Sequence, residues 1–179
     1  MGALDSIESF KNANRGPGPG RKSFPLRGRR TCGAIETGLS VILIELQKTI
    51  PALQSYRISD GLKSPVLLIA EPGAGAQDTH QDTDSNDDGV EAQYLSCLIA
   101  LQPTNETNGL TTLFHIHGDG STTPPPETAK VSVELETWGA LVFAAETWHY
   151  GGANHSSETR RMVHFYLEHE LAYALEIYA

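Results

Sequence analysis

Cysteine is scarce in this chain and positive charge is in the minority, and each shortage removes a class of function. Only two cysteines, Cys32 and Cys97, occur among 179 residues. No secretory leader is visible ahead of them, so they read as free thiols in a reducing compartment, and a cytoplasmic location is expected. Lys and Arg number 13 against 22 Asp and Glu, a formal charge of −9, which argues against a nucleic-acid surface. Apolar runs long enough to span a bilayer are also lacking, so no membrane role is expected. Without a leader, the sequons at Asn105 and Asn154 read as chance matches. The length and a hydrophobic content of 39% suit one domain with a real core, not two.

Helical periodicity is nearly as rare. It is convincing only from Glu36 to Leu53, where Leu39, Ile42, Leu43, Leu46, Ile50 and Leu53 recur at helical spacing and Pro51 must end or kink the helix. Ahead of it, residues 1–31 are rich in Gly, Pro, Lys and Arg, with Gly-Pro-Gly-Pro-Gly from Gly16 and the cluster Arg27, Arg29 and Arg30. That segment reads as a flexible basic arm. Residues 32–179 then form a single domain.

Strands fill the remainder. Pro65 to Ala70, Gln93 to Leu101, Leu110 to Ile116, Val131 to Leu135, Gly139 to Ala145 and Arg161 to Leu167 are apolar, Thr-rich or alternating, and clusters of Gly, Pro and Asn separate them. Glu168 to Ala179 has the length of a short terminal helix. Many short strands with one flanking helix predict a mainly β fold, a double-stranded β-helix or jelly-roll of two antiparallel sheets. Asp84, Asn86, Asp88 and Gly89 imitate the opening of a calcium loop, but Leu95 occupies the position of its bidentate Glu, so a polar turn is the better reading.

Against this framework stands Gln77-Asp-Thr-His80-Gln-Asp82. On an extended segment His80 and Asp82 project to the same side. A third ligand is available at His149, in Trp-His-Tyr-Gly-Gly-Ala-Asn, after another strand-like run. Two histidines and a carboxylate form the facial triad of non-haem iron(II) oxygenases, which leaves coordination positions open. Each histidine alone is more often a hydrogen-bonded structural residue, and the set gains weight only from its position at strand ends.

The order of motifs resembles the iron(II) and 2-oxoglutarate-dependent dioxygenases, and within them the phytanoyl-CoA dioxygenase-like group. The matching pieces run from Pro65 to Leu167: Pro72-Gly-Ala-Gly-Ala-Gln77 before His80-Gln-Asp82, Leu98-Ile-Ala-Leu with Asn108-Gly109, Trp138-Gly-Ala-Leu-Val-Phe leading to His149, and Gly151-Gly-Ala-Asn154 followed by Arg160-Arg161. The resemblance implies that His80, Asp82 and His149 bind Fe(II), that Arg160 binds the 2-oxoglutarate co-substrate, and that O2 is consumed. It implies a jelly-roll oxygenase that hydroxylates or otherwise oxidises an unactivated C–H of a small-molecule substrate, giving succinate and CO2. Gln77, three residues before His80, is within reach of the co-substrate or caps the strand end. Strand alternation places Arg160, Met162, His164 and Tyr166 on one face and Arg161, Val163, Phe165 and Leu167 on the other, which assigns Arg160 to the site and Arg161 to the surface. Trp138 and Trp148 read as packing residues, with Trp148 a candidate for the substrate side. The short stretch before Pro65 offers little to shape a substrate pocket, so a second subunit completing it stays open.

Two rivals remain. Gly109, five residues and then His115-x-His117 match the start of a cupin metal motif, although Ser121 and Thr122 stand where its Glu is needed and Gly139 does not lead to the second motif's Pro. A catalytically silent jelly-roll used for binding is the other. Metal content separates the three: Fe(II) through His80, Asp82 and His149, metal through His115 and His117, or none.

Overall fold

The computed structural model of the chain describes residues 19–26, 32–58, 65–82, 94–114 and 130–169. Their elements are β1 (Arg21–Pro25), α1 (Cys32–Thr49), a single 3-10 turn at Pro51–Leu53, β2 (Tyr56–Ile58), β3 (Val66–Ala70), β4 (Tyr94–Ala100), β5 (Thr111–Phe114), β6 (Lys130–Val133), β7 (Ala140–Ala144), β8 (His149–Gly151) and β9 (Arg160–His169). The major sheet has the order β1-β3-β9-β4-β7, with β2 also pairing β9; the minor sheet is β6-β5-β8. All named pairings are antiparallel, as the jelly-roll reading requires.

Strand β9 is central, and its two faces do different work. Phe165 and Leu167 join Cys97, Ile99, Leu39, Leu43 and Leu53 in the cluster between the major sheet and α1. This is the apolar stripe expected to meet the helix. The helix stops where Pro51 begins the 3-10 turn, and the Gln47 side chain ties the turn to β2 by donating to the Leu53 and Tyr56 carbonyls at 3.0 and 2.8 Å. On the other face, Met162 packs with Leu98, Ala100 and Phe143, and Leu113 of the minor sheet closes over them. Where β9 continues past the helix, buried Glu168 pairs with Arg57 of β2 at 3.2 Å.

Three expectations need correction. The sequence predicts a flexible arm over residues 1–31, yet Arg21–Pro25 is strand β1, in register with β3 from Arg21↔Ala70 to Pro25↔Val66. Its Gly-Pro prelude and single aromatic conceal an edge strand whose partner supplies the apolar residues. The terminal helix from Glu168 does not start there, because Glu168 and His169 belong to β9; the rest of that stretch lies outside the described residues. Trp138 is not a packing residue: it is 69% exposed and sits at φ 68° in the turn before β7, a conformation that costs a non-glycine residue roughly 1 kcal/mol or more. Trp148 is half-buried. The acidic loop from Asp84, the basic cluster from Arg27 and the pair His115/His117 lie outside the described residues.

Candidate metal centre and its anion cradle

The segment from Gln77 to Asp82 runs antiparallel beside β8. Gln77 N donates to the Gly151 carbonyl at 2.9 Å, His80 and His149 exchange both backbone hydrogen bonds at 2.9 and 2.8 Å, and Asp82 N donates to the Ala145 carbonyl at 2.8 Å. This ladder extends the minor sheet by a short rung, and it brings together residues nearly seventy positions apart. One donor atom each from His80, Asp82 and His149 lies within 4.8 Å of the others. His80 Nε2 is 4.0 Å from Asp82 Oδ1, and His149 Nε2 is 3.7 Å from Asp82 Oδ2. Among the described residues this is the group that suits a metal ion.

The imidazoles are oriented for that task. His80 Nδ1 contacts the Asp78 carbonyl at 2.7 Å and His149 Nδ1 the Thr147 carbonyl at 2.9 Å. A carbonyl only accepts, so each Nδ1 carries a proton and each Nε2 is the position left on the side of Asp82, where a metal can take its lone pair. Phe143 packs edge-on against His149 with centroids 4.9 Å apart. Burial alone would raise the Asp82 carboxyl, but His164, His149, the Ser96 hydrogen bond and His80 together hold it below the ordinary carboxylate range. The carboxylate is therefore ionised at neutral pH, as a ligand must be.

A second cluster forms two residues further along β8. Arg160 is buried, and its guanidinium donates to the Gly109 carbonyl. Arg21 reaches the same place from β1, donating to the Gly75, Gly151 and Gly152 carbonyls at 2.7, 2.8 and 2.6 Å. Burial, and then the neighbouring Arg21 charge, push Arg160 down to about 10. Among the described residues the buried Arg160 and the half-buried Arg21 beside it are bonded to carbonyl dipoles and to no carboxylate, an arrangement suited to an anion. Gly151 is the floor of it: a Cβ there would stand 2.6 Å from Gln77 Oε1, 3.2 Å from an Arg21 guanidinium nitrogen and 3.3 Å from one of Arg160. Gln77 Oε1 accepts from Gly151 N at 2.9 Å, so the side chain does pin the strand end, and it does so inside this cluster. Arg161 points away and is exposed.

The loop between His149 and Arg160 is fixed by Asn154, fully buried, whose amide nitrogen donates to Ala70 and Glu158 and whose amide oxygen accepts from Ser156. That is a structural asparagine, in keeping with its sequon being a chance match. A family model for Phytanoyl-CoA dioxygenase (PhyH) matches residues 51–162. The chain belongs to that family. Among curated relatives, this PhyH-family chain is 31% identical over 104 residues to Dioxygenase cdmA of Talaromyces verruculosus, covering 53% of this chain and 35% of that protein. It is 29% identical over 109 residues to Dioxygenase trt7 of Aspergillus terreus, covering 56% and 38%. The chain thus spans a little over a third of the length of the curated relatives it matches. Its fold is similar to that of the non-heme alpha ketoglutarate dependent epimerase SnoN from nogalamycin biosynthesis (TM-score 0.51, 19% identity, covering 75% of this chain and 59% of that one). It is also similar to EvdO2 of Micromonospora carbonacea var. aurantiaca, solved with 2-oxoglutarate (TM-score 0.52, 18% identity, covering 74% and 64%). These PhyH-like jelly-rolls bear out the expected fold.

Sequence reasoning missed Arg21, Ser96 and the part played by His164 and Tyr166. Alternation along β9 put the last two on the site face with Arg160, and that was the available clue. Arg21 offered none, because its strand is recognisable only from its partner β3.

Proposed function

We propose that this PhyH-family chain carries the Fe(II) and 2-oxoglutarate site of a dioxygenase that oxidises an unactivated C–H of a small-molecule substrate, releasing succinate and CO2. The observation that supports it most is one edge of β8 serving two chemistries: His149 faces the His80/Asp82 donors, and Gly151 faces the buried Arg160 and the half-buried Arg21. Residues two apart on a strand are roughly 6.5 Å apart, a gap that a five-carbon dicarboxylate bridges with one end at the metal and the other at the guanidinium pair.

The donor set fits the metal. Two neutral imidazoles with lone pairs at Nε2 and one ionised carboxylate are the ligands that suit iron(II) while leaving positions free. When bound, that ion supplies the oxidative decarboxylation of the 2-oxo acid and the activation of O2. The chain's own residues do the rest. Arg160, with Arg21 beside it, neutralises the far carboxylate through a forked, charge-assisted pair. Gln77, pinned on Gly151, fixes the distance between the two halves. The apolar layer of Leu98, Phe143 and Met162 beneath the site keeps water from that side.

The test is formation of succinate from 2-oxoglutarate by the chain with Fe(II) and O2, across a panel of small molecules, beside Asp82→Ala. Succinate formation lost in Asp82→Ala but kept in His117→Ala supports this reading; the reverse favours the cupin alternative, and failure to bind metal favours a silent binding module.

A further inference from the structure

The interior face of the major sheet has Arg160 near one end of β9 and Glu168 near the other, and between them its polar residues gather at Asp82. Ser96 of β4 and Tyr166 of β9 are directly opposite one another in the register, and Leu98 stands opposite His164. All three polar residues turn toward the same carboxylate. Ser96 Oγ donates to Asp82 Oδ2 at 2.5 Å, His164 Nε2 lies 3.5 Å from Oδ2 as an ionic contact and not a hydrogen bond, and burial, then the nearby Asp82 charge, push the Tyr166 hydroxyl up. The His164 and Tyr166 rings meet edge to face with centroids 4.8 Å apart, so each limits the other's rotation. Ser96 and Tyr166 are buried, at 0% and 3% exposure. Placing a hydroxyl, a phenol and an imidazole in an apolar layer is costly unless each is satisfied by a partner.

We propose that His164 is a positioning group: with its ring held by Tyr166 and its Nε2 3.5 Å from Asp82 Oδ2, it works beside the Ser96 hydrogen bond to occupy that oxygen and so present the carboxylate to the metal through Oδ1 alone. His164 is not a ligand in this arrangement: the compact donor group comprises His80, Asp82 and His149 and leaves it out. A carboxylate bound through both oxygens would occupy one coordination position more, and a site for a bidentate co-substrate and dioxygen has none to spare. Ser96 and His164 lie beyond the ligands, where a partner of a metal-bound carboxylate typically changes affinity by about 10- to 100-fold.

The inference rests on the metal reading above, and it is tested with cobalt(II) alone as the probe, by affinity and visible spectrum, independently of turnover. The wild-type chain binding one Co(II), with binding lost in Asp82→Ala, establishes the site; a wild-type chain that takes up no Co(II) sinks both readings. Given that site, His164→Leu is expected to weaken Co(II) binding about tenfold and to shift the ligand-field bands. His164→Gln, whose amide nitrogen can stand where Nε2 stood, is expected to restore both. Tyr166→Phe, which removes one oxygen and keeps the ring, is expected to change the spectrum in the same sense and guards against a His164→Leu chain that does not fold. His164→Leu and Tyr166→Phe with wild-type affinity and spectrum would overturn the positioning role, as would His164→Gln failing to restore what His164→Leu loses. So would nitrogen hyperfine signals from three imidazoles in the wild-type metal complex.

Discussion

Replacing Arg160 with Met should weaken 2-oxoglutarate binding by roughly two to three and a half orders of magnitude, and Arg161→Met should leave it within a factor of about two. The first figure follows from about 3–5 kcal/mol for breaking a buried ion pair on one side. Arg160 is 5% exposed and bonded to the Gly109 carbonyl, whereas its neighbour is exposed with its guanidinium on the Thr159 carbonyl at 3.3 Å. Arg21 moderates the loss, because it remains beside the vacated place and retains part of the attraction for a carboxylate; the lower end of the range is therefore expected. It also protects the fold. In the ligand-free chain burial, and then the neighbouring Arg21 charge, disfavour the Arg160 cation, so removing it relieves a penalty and metal affinity should hardly change. Calorimetric titration of 2-oxoglutarate into the Mn(II)-loaded chain without oxygen measures the affinity, and thermal unfolding checks the fold. Combining Arg160→Met with an Arg21→Met change should cost less than the sum of the two, since neighbours in one cluster are not additive. Equal losses at Arg160 and Arg161, or a larger one at Arg161, would refute the reasoning.

Other consequences can be checked separately. Gly151→Ala should raise the 2-oxoglutarate dissociation constant while leaving Co(II) binding intact, because its Cβ would press on Gln77, Arg21 and Arg160 and not on the metal ligands; parallel titrations of the two ligands decide it. Phe165→Ala, at a position 1% exposed between the sheet and α1, should destabilise the chain by about 3–5 kcal/mol in denaturant unfolding, and a loss below 1 kcal/mol would mean that the helix is not packed there. Burial pushes the Cys97 thiol up from 9.0 to about 12. Its neutral form is therefore favoured in the fold, and stability should be undiminished below pH 9 and fall as pH rises from there toward 12, by up to about 1.4 kcal/mol per pH unit. Cys97→Ala should lack that component, so coincident stability–pH slopes for the two chains would count against it.

What was legible in the sequence was local. Apolar, Thr-rich or alternating runs located β3 to β7 and β9, since a strand between two layers must carry apolar residues whatever its partners are. The helix showed itself by its spacing and its Pro51. The spacing of His80 and Asp82, and the turn after His149, singled out three candidate ligands that the fold brings together, because coordination chemistry restricts which side chains qualify. Alternation separated Arg160 from Arg161 for the same geometric reason. Tertiary structure decided the rest. Whether residues 21–25 are an arm or a strand depends on the edge that β3 leaves open, and no local pattern in Arg-Lys-Ser-Phe-Pro encodes it. Arg21 enters the Arg160 cluster only because that pairing sets it beside Gly151, 130 positions away. Likewise Ser96 and Tyr166 read as ordinary strand residues, and it is the register of β4 against β9 that places them together under Asp82. Hydrophobic periodicity specifies which face a residue shows, but which residue it meets there is fixed by pairings made far along the chain.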